Sequence, residues 1–265
     1  MRVGFCQFDV VHKNVDANIA KIKELIRNVD ADLIVLPELC ISGYFFQSKD
    51  ELFLYSSERV QKRIIRELTT ISKRNDVYIV AGIAEKEGDS VYNTAIVVGD
   101  KGLLGKHRKV NLSKNETIFS RGNKLAIITI GDVKIGIVIC FESWFPESFR
   151  LLALQGAQII CCPVNFGGPW TLDVMKVRAL ENKVYTIMAN RIGQELIKNE
   201  KADFRGESQI IDYGGNVLVS AGREECLKIV EIHPDDVLVK NNIICDDLLY
   251  EMSMYKRYVH YDLYK

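Results

Sequence analysis

The sequence has little of what marks the most easily recognised protein classes. It contains five prolines and 18 glycines among 265 residues, so there is no room for a long Pro- or Gly-rich linker. It has no Cys-x-x-C pair, and its longest apolar runs are far too short to cross a bilayer. Lys plus Arg and Asp plus Glu are balanced at 35 each, which removes the usual electrostatic argument for nucleic acid or an anionic membrane as a partner.

Histidine is scarce and the cysteine count is odd. The four histidines never share a helix face, and seven cysteines cannot all pair, so we expect neither a metal site nor a disulfide framework. Met1 and Arg2 lead directly into an apolar strand, without the pattern of a secretory signal. We therefore expect reduced thiols and a cytoplasmic location.

What is present is ordinary globular composition, with 48% hydrophobic and 26% charged residues. We expect a single domain over residues 1–265. Hydrophobic periodicity alternates between the two regular structures, which indicates a layered α/β fold. Strands are predicted at 3–8, 32–36, 77–84, 91–98, 157–164, 184–189, 207–212, 216–220 and 227–231, and helices at 15–29, 61–73, 146–156 and 172–183.

Two charged residues occupy positions where chemistry is plausible. Glu38 follows the apolar run 32–36, and active-site groups of α/β folds usually lie at the carboxyl ends of such strands. A glutamate that caps or pairs in a loop is the plainer interpretation. Lys109 closes the basic run 106–109, which taken alone predicts a solvated face. The pattern by itself does not say which of these four side chains points inward.

Cys140 ends the apolar run 135–139 and precedes a helix predicted to begin at Pro146. The cysteine therefore lies in a strand-to-helix elbow, which can expose a nucleophile and direct backbone N–H groups at an oxyanion. An inert buried thiol is the alternative, and Cys161 and Cys162 within a predicted strand suit that alternative better.

Three segments, Leu36-Pro37-Glu38, Arg108-Lys109-Val110-Asn111-Leu112 and Ile139-Cys140-Phe141-Glu142, resemble in their order the three signatures of the nitrilase (carbon-nitrogen hydrolase) superfamily. Further matches occur at 116–122, 178–182, 189–193 and 206–208, so the resemblance covers nearly the whole chain to somewhere past Ile232. One departure is Asn111, where the family commonly has histidine. We expect this change to alter packing or pocket shape without loss of activity.

The resemblance implies a four-layer αββα sandwich that dimerises through helices into αββα-αββα. The expected assembly is a homodimer or a higher homo-oligomer, with residues 236–265 as a tail or a dimer-contact extension. The resemblance also implies that no metal or organic cofactor is needed.

The catalytic residues implied by the resemblance are Glu38, Lys109, Cys140 and Glu116. Cys140 would attack an amide carbon to form a thioester, with Glu38 as general base and later general acid. Lys109 and the backbone N–H of Phe141 would stabilise the oxyanion. Glu116 would orient the lysine or the substrate nitrogen.

Around the site, the resemblance implies that four aromatic side chains lie near the mouth: Tyr44, Trp144, Phe166 and Trp170. Ordinary core or dimer packing is the alternative for each of them. Glu142 is expected to approach the nitrogen of the substrate. The predicted function is hydrolysis of a small linear amide with release of ammonia.

Three alternatives stay open: a nitrile or N-carbamoyl hydrolase, a catalytically silent binding relative, and an acyltransferase. Members of the family that act on nitriles typically carry Cys-Trp-Glu, and Glu142 matches that pattern. Phe141 and the segment Phe145-Pro146-Glu147 match the amide group instead, and they favour an amide. An acyltransferase would need an acyl-donor site, and no motif in the chain indicates one.

Overall fold

The structure is a computed structural model that describes residues 1–197 and 200–238, together with positions 251, 253 and 254. Most of the predicted tail, 236–265, lies outside the described residues. The strands are β1 (Arg2–Gln7), β2 (Leu33–Val35), β3 (Tyr78–Glu87), β4 (Ser90–Gly99), β5 (Gly102–Arg108), β6 (Ile127–Ile130), β7 (Val133–Ile137), β8 (Ile159–Pro163), β9 (Tyr185–Ala189), β10 (Ile192–Ile197), β11 (Glu200–Arg205), β12 (Gln209–Ile211), β13 (Val217–Ser220) and β14 (Cys226–Glu231). The helices are α1 (Val15–Leu25), α2 (Lys49–Ser56), α3 (Glu58–Asn75), α4 (Pro146–Leu154) and α5 (Trp170–Asn182), with 3-10 turns at Cys140–Trp144 and Pro234–Val237.

Two six-stranded sheets form the centre of the molecule. The first has the order β14-β1-β2-β3-β4-β5 and the second β13-β12-β9-β8-β7-β6. Strands β1 to β3 are parallel to one another, as are β7 to β9, whereas the outer strands pair antiparallel. A separate antiparallel hairpin is formed by β10 and β11. In each sheet the parallel strands therefore lie at the centre, where both faces are covered.

Side-chain alternation explains the layers. Val3 and Phe5 of β1 join the core between the two sheets, whereas Cys6 faces the outer core beneath α1 and α3. Strand β2 divides in the same way, with Leu33 and Val35 inward and Ile34 outward. Helices α4 and α5 cover the other sheet through residues such as Phe149 and Met175. The four-layer αββα arrangement predicted from the sequence is confirmed.

Several predicted boundaries are wrong, and the reasons are local. The helix expected over 15–29 ends at Leu25, since Asn28 has a left-handed backbone with φ +55°. Helix α3 extends further than 61–73 in both directions because Ser57 caps its first turn and Asp76 its last. The apolar run before Cys140 stops being a strand at Ile137, and a 3-10 turn begins at the cysteine.

Five elements were not predicted: α2, β5, β6, β10 and β11. Strand β5 is an edge strand with partly exposed and basic residues, so its sequence lacks the apolar run of a central strand. The β10–β11 hairpin lies outside both main sheets and shows little apolar alternation. Elements that are only half covered give weak hydrophobic patterns.

Candidate active site

Three of the four expected catalytic residues come from strand ends that meet at one place. Glu38 follows β2, Lys109 directly follows β5, and Cys140 follows β7. Gly82 of β3 allows the loop at Glu38 to pack closely, because a Cβ at position 82 would lie 2.5 Å from the backbone nitrogen of Leu39. Leu39 itself adopts a left-handed backbone with φ +47°, so the chain turns sharply immediately after the glutamate.

Lys109 lies between two carboxylates. Its Nζ donates to Glu38 Oε1 at 2.7 Å, and to Glu116 Oε2 at 2.8 Å and Oε1 at 3.0 Å. All three side chains are fully buried. The backbone N–H of Ser113 donates to Glu116 Oε2 at 2.7 Å and fixes that carboxylate from its own loop. The cluster therefore holds a positive charge that is balanced and oriented on two sides.

Asn93, on β4, is a member of the site that the sequence analysis missed. Its Nδ2 donates to Glu38 Oε1 at 2.7 Å and to Glu116 Oε1 at 2.6 Å. Its backbone carbonyl accepts from the N–H of Lys109 at 2.8 Å. An asparagine in an apolar strand was a signal that could have identified it, since buried amides require partners.

Cys140 occupies the strained elbow that was predicted. It has φ +49°, begins the 3-10 turn, and is 6% exposed. Burial and the negative charge of Glu38 raise the pKa of its thiol well above the usual value, while Lys109 and the backbone of Asn165 lower it. At neutral pH the sulfur therefore carries its proton, and a nearby base has to remove that proton for attack to occur.

The charges around the thiol suit that requirement. Burial raises the pKa of Glu38, and the positive charge of Lys109 opposes this effect. Burial alone would lower the pKa of Lys109, but the negative charge of Glu38, that of the Cys140 sulfur once it is ionised, and that of Glu116 raise it well above its usual value. The arrangement can therefore move one proton between sulfur and carboxylate while the lysine stays protonated.

The four basic residues at 106–109, which the sequence pattern does not distinguish, have different partners in the structure. Lys106 pairs with Glu85 at the surface, and Arg108 binds the same carboxylate at 2.5 and 2.9 Å. His107 points inward but away from the carboxylate pair, toward the back of the elbow. Of these four residues, Lys109 is the one that reaches the cluster. Alternation along the chain separates it from Lys106 and Arg108, which share Glu85, and His107 on its own side lies against Glu142.

The expected position of Glu142 near a substrate nitrogen is wrong. Its Oε1 accepts from the N–H of Val110 at 2.6 Å, and its Oε2 accepts from Ile139 N–H at 2.7 Å and lies 2.9 Å from His107 Nε2. Glu142 therefore connects the residue after the lysine to the residue before the nucleophile. Burial would raise its pKa, but His107 and these backbone N–H groups lower it below the usual value.

A cavity of about 480 Å³ opens above Cys140. All four aromatic residues expected at its mouth line it, together with Phe141. Trp144 is 42% exposed and Trp170 is 69% exposed, so both lie at the rim, whereas Tyr44 is buried. The other described residues that line the cavity are Phe45, Ser113, Asn115, Asn165, Gly167, Gly168, Thr171, Ala202, Asp203 and Phe204.

One side of the cavity depends on a buried ion pair that the sequence analysis did not anticipate. Arg191 and Glu195 are paired, and Glu195 accepts hydrogen bonds from the backbone N–H groups of Tyr44 and Phe45. The Arg191 guanidinium lies 4.4 Å from the ring centroid of Phe204. This cluster fixes the loop that carries Tyr44 and Phe45 against the β10–β11 hairpin.

The chain belongs to the carbon-nitrogen hydrolase family, whose model matches residues 2–238. The strained cysteine and the buried Glu-Lys-Glu cluster of this chain therefore belong to a carbon-nitrogen hydrolase, a family that includes amidases and nitrilases.

Curated relatives include amidases and nitrilases. A nitrilase of Pyrococcus abyssi is 38% identical over 252 residues, which cover 93% of this chain and 94% of that protein. The 2-oxoglutaramate amidase of Bacillus subtilis is 32% identical over 241 residues, 87% of this chain and 90% of that protein.

Solved structures share the fold. A carbon-nitrogen hydrolase from Helicobacter pylori G27 superposes with a TM-score of 0.84 at 22% identity, covering 100% of this chain and 97% of that chain. Within the part of the chain that the structure describes, no group of three or more His, Cys, Asp or Glu residues is arranged to hold a metal ion. Among the same residues, no helix has the length and apolarity needed to span a membrane.

Proposed function

We propose that this enzyme hydrolyses a small, linear, uncharged amide to a carboxylic acid and ammonia through a thioester on Cys140. One observation carries the proposal. Glu38 Oε1 is bound by Lys109 and Asn93, while Oε2 is buried without a hydrogen-bond partner among the described residues. An unsatisfied buried carboxylate oxygen is costly, and it persists most readily where a function requires it.

In the first half-reaction, the thiol proton of Cys140 moves to Glu38 as the sulfur attacks the carbonyl carbon. The resulting oxyanion is stabilised by the charge of Lys109 and the N–H of Phe141. Glu38 then returns the proton to the amide nitrogen, the C–N bond breaks, and ammonia leaves.

In the second half-reaction, water attacks the thioester carbon. Glu38 takes a proton from this water, the C–S bond breaks, and the sulfur recovers a proton while the acid departs. Glu116 orients Lys109 in both halves through its two hydrogen bonds. Cys140, Glu38 and Lys109 therefore serve both acylation and deacylation.

The composition of the cavity supports an uncharged acyl group. Tyr44, Phe141 and Phe166 are among the aromatic side chains around it, and no lysine or arginine is among the described residues that line it. A substrate carboxylate would lose its hydration there without gaining a cationic partner, which is unfavourable. We therefore expect poor turnover of amides that also carry a carboxylate.

A screen of short primary amides for ammonia release tests this function. Neutral amides such as propionamide and butyramide should be hydrolysed, and amides with an added carboxylate at the far end should react much more slowly. Intact-protein mass spectrometry should detect an acyl adduct on Cys140 when deacylation is slow. Turnover of no amide, with no adduct, would contradict the proposal.

Nitrile hydrolysis is the second candidate, because the Pyrococcus abyssi relative is a nitrilase. The two activities are separated by measuring kcat/KM for butyramide and its matched nitrile, butyronitrile. We expect the amide to be preferred, since both oxygens of Glu142 are occupied and unavailable to a nitrile-derived nitrogen. A clear preference for the nitrile would reverse this assignment while leaving Cys140 as the nucleophile.

We further propose that two copies associate through α5. Val177 and Leu180 of this helix are 49% and 46% exposed and lie on one face, which ends near Trp170 at the mouth of the cavity. Leu180→Arg should shift the dimer to monomer in light scattering after size exclusion. Leu54→Arg on α2 is the matched control, since Leu54 is 70% exposed in the opposite helix layer. Equal masses for the two variants would refute an α5 interface.

A cytoplasmic location is also proposed. The six described cysteines are all free thiols, in keeping with a reducing compartment.

A further inference from the structure

The cluster beneath the cavity contains a fixed number of hydrogen-bond donors. Lys109 has three Nζ protons, and its bonds reach Glu38 Oε1 and both oxygens of Glu116. Asn93 has two amide protons, and they reach Glu38 Oε1 and Glu116 Oε1. Every donor is used, and all of those that reach Glu38 go to a single oxygen.

This distribution leaves the two oxygens of Glu38 chemically different. Oε1 accepts two hydrogen bonds, whereas Oε2 accepts none from the described residues. Lys109 alone would not hold the carboxylate plane, since a single bond to one oxygen permits rotation about the terminal torsion of the side chain. A second donor from a different strand removes that rotation.

We propose that Asn93 is a positioning residue that locks Glu38 so that Oε2 exchanges protons with Cys140 and the departing nitrogen. This inference rests on the proposed function, because it assigns an atom to the base named there. Like Glu38 and Lys109, Asn93 is fully buried beneath the described lining of the cavity, but unlike them it carries no charge and transfers no proton in the proposed steps. It acts through Glu38 and Glu116.

The placement of Asn93 suits this role better than simple strand packing does. Its backbone carbonyl also fixes the N–H of Lys109 at 2.8 Å, so one residue holds the base, its companion carboxylate and the lysine backbone. The titratable groups facing Glu38 are Lys109, Glu116, Cys140 and Tyr44. Loss of the Asn93 bond would raise the pKa of Glu38, because a hydrogen bond to a carboxylate favours its ionised form.

The test compares Asn93→Asp and Asn93→Ser with a matched control, Asn18→Ser. Asn18 is equally buried, and its Nδ2 also donates two bonds, to the carbonyls of Val11 and Ile41 at 2.8 Å each. Asn93→Asp preserves the volume and, when ionised, removes both donors but adds a negative charge, whereas Asn93→Ser retains a single short donor and adds no charge, so a shift in the serine variant is the decisive one. If the aspartate variant fails to unfold cooperatively, the serine variant carries the test.

Two measurements are made across pH: kcat and KM with the best amide, and the rate of alkylation of Cys140 by iodoacetamide, followed by peptide mass spectrometry. We expect kcat to fall roughly 10- to 100-fold in the Asn93 variants with KM changed less than about threefold. The acidic limb of both pH profiles should move upward by at least roughly half a unit. Asn18→Ser should lower the unfolding temperature without moving either limb.

Unchanged acidic limbs in both Asn93 variants, with kcat losses no larger than in Asn18→Ser, would overturn the inference and leave Asn93 a packing residue. Glu38→Gln distinguishes this failure from failure of the proposed function. If Glu38→Gln abolishes the pH-dependent limb and the Asn93 variants do not shift it, only the role of Asn93 is wrong. If Glu38→Gln also leaves alkylation and turnover unchanged, Glu38 is not the base and the proposed mechanism fails with it.

Discussion

Two neighbouring regions use the same residue types for opposite purposes. The cavity has Cys140 in its lining and Glu38 in the buried cluster beneath it. We call a second buried set the seam: Glu142, which connects the Lys109 and Cys140 segments, and Cys161 and Cys162 of β8. Glu142 has both oxygens satisfied and a lowered pKa, whereas Glu38 has a raised pKa and one oxygen that finds no partner among the described residues.

The two cysteines differ in the same manner. Cys140 adopts a left-handed backbone at the end of a cavity, while Cys161 lies within regular strand β8 and is fully covered. Burial is therefore shared by both regions and does not distinguish a reactive group from a structural one. Incomplete hydrogen bonding, backbone strain and access to a cavity make the distinction.

Replacing the nucleophile should have the largest effect. Cys140→Ala is expected to lower kcat by at least roughly 10⁴-fold, because no other thiol lines the described cavity. The measurement is ammonia release under substrate saturation. Cys161→Ala and Cys162→Ala are the controls from the seam; they should retain activity, with some loss of stability from the cavities they leave. Turnover near wild type in Cys140→Ala would exclude a covalent mechanism.

Replacing the base should come next. Glu38→Gln is expected to lower kcat/KM, which reports acylation, roughly 10²- to 10⁴-fold, and to slow deacylation of the thioester as well. Burial raises the pKa of Glu38, so this group contributes stability below its ordinary pKa and loses it as pH rises. The unfolding temperature of Glu38→Gln at neutral pH should therefore be no lower than that of the wild type. Full activity in this variant would mean that Glu38, like Glu142, is not the catalytic base.

In the seam, we expect Glu142 to matter more for stability than for activity. Glu142→Gln should lower the free energy of unfolding by about 3 kcal/mol, because it replaces the ionised acceptor of two backbone N–H groups. The loss is measured by urea unfolding. Activity should fall less than in Glu38→Gln, since Glu142 positions the lysine and cysteine segments without reaching the cavity. An activity loss as large as that of Glu38→Gln, with unchanged stability, would contradict the bracing role.

The smallest effect concerns pH. The pKa of Glu142 is lowered in the folded protein from an ordinary value of 4.5. Its contribution to stability is therefore present above pH 4.5 and is lost as pH falls through the lowered value. The gap in unfolding free energy between wild type and Glu142→Gln should narrow below that pH, by up to about 1.4 kcal/mol for each unit of the pKa shift. A difference in unfolding free energy that stays constant down to pH 3 would mean that the negative charge of Glu142 is not what stabilises the fold.

The sequence predicted much of the fold because central strands have strong patterns. The runs at 3–8 and 32–36 are covered on both faces, and each alternates cleanly between the two cores. The edge strand β5 and the β10–β11 hairpin were missed because half-covered strands carry polar residues on the open side. The catalytic candidates lie in segments that match the family, whereas Asn93 lies outside all of them.

Local patterns in the sequence did not predict strand β5 or which basic residue at its end points inward. By itself, the sequence determined the chemical groups at two strand ends: a glutamate after β2 and a cysteine after β7. These placements follow from local patterns of burial and turning. Only the tertiary structure decided which groups become partners. Glu38 meets Asn93 across 55 residues and Lys109 across 71, and such pairings depend on the order and register of β2, β4 and β5 within one sheet. The surrounding donors also turn Glu142 away from the cavity and, in the part of the chain that the structure describes, leave one oxygen of Glu38 without a partner, because the direction of a buried side chain is set by the donors around it.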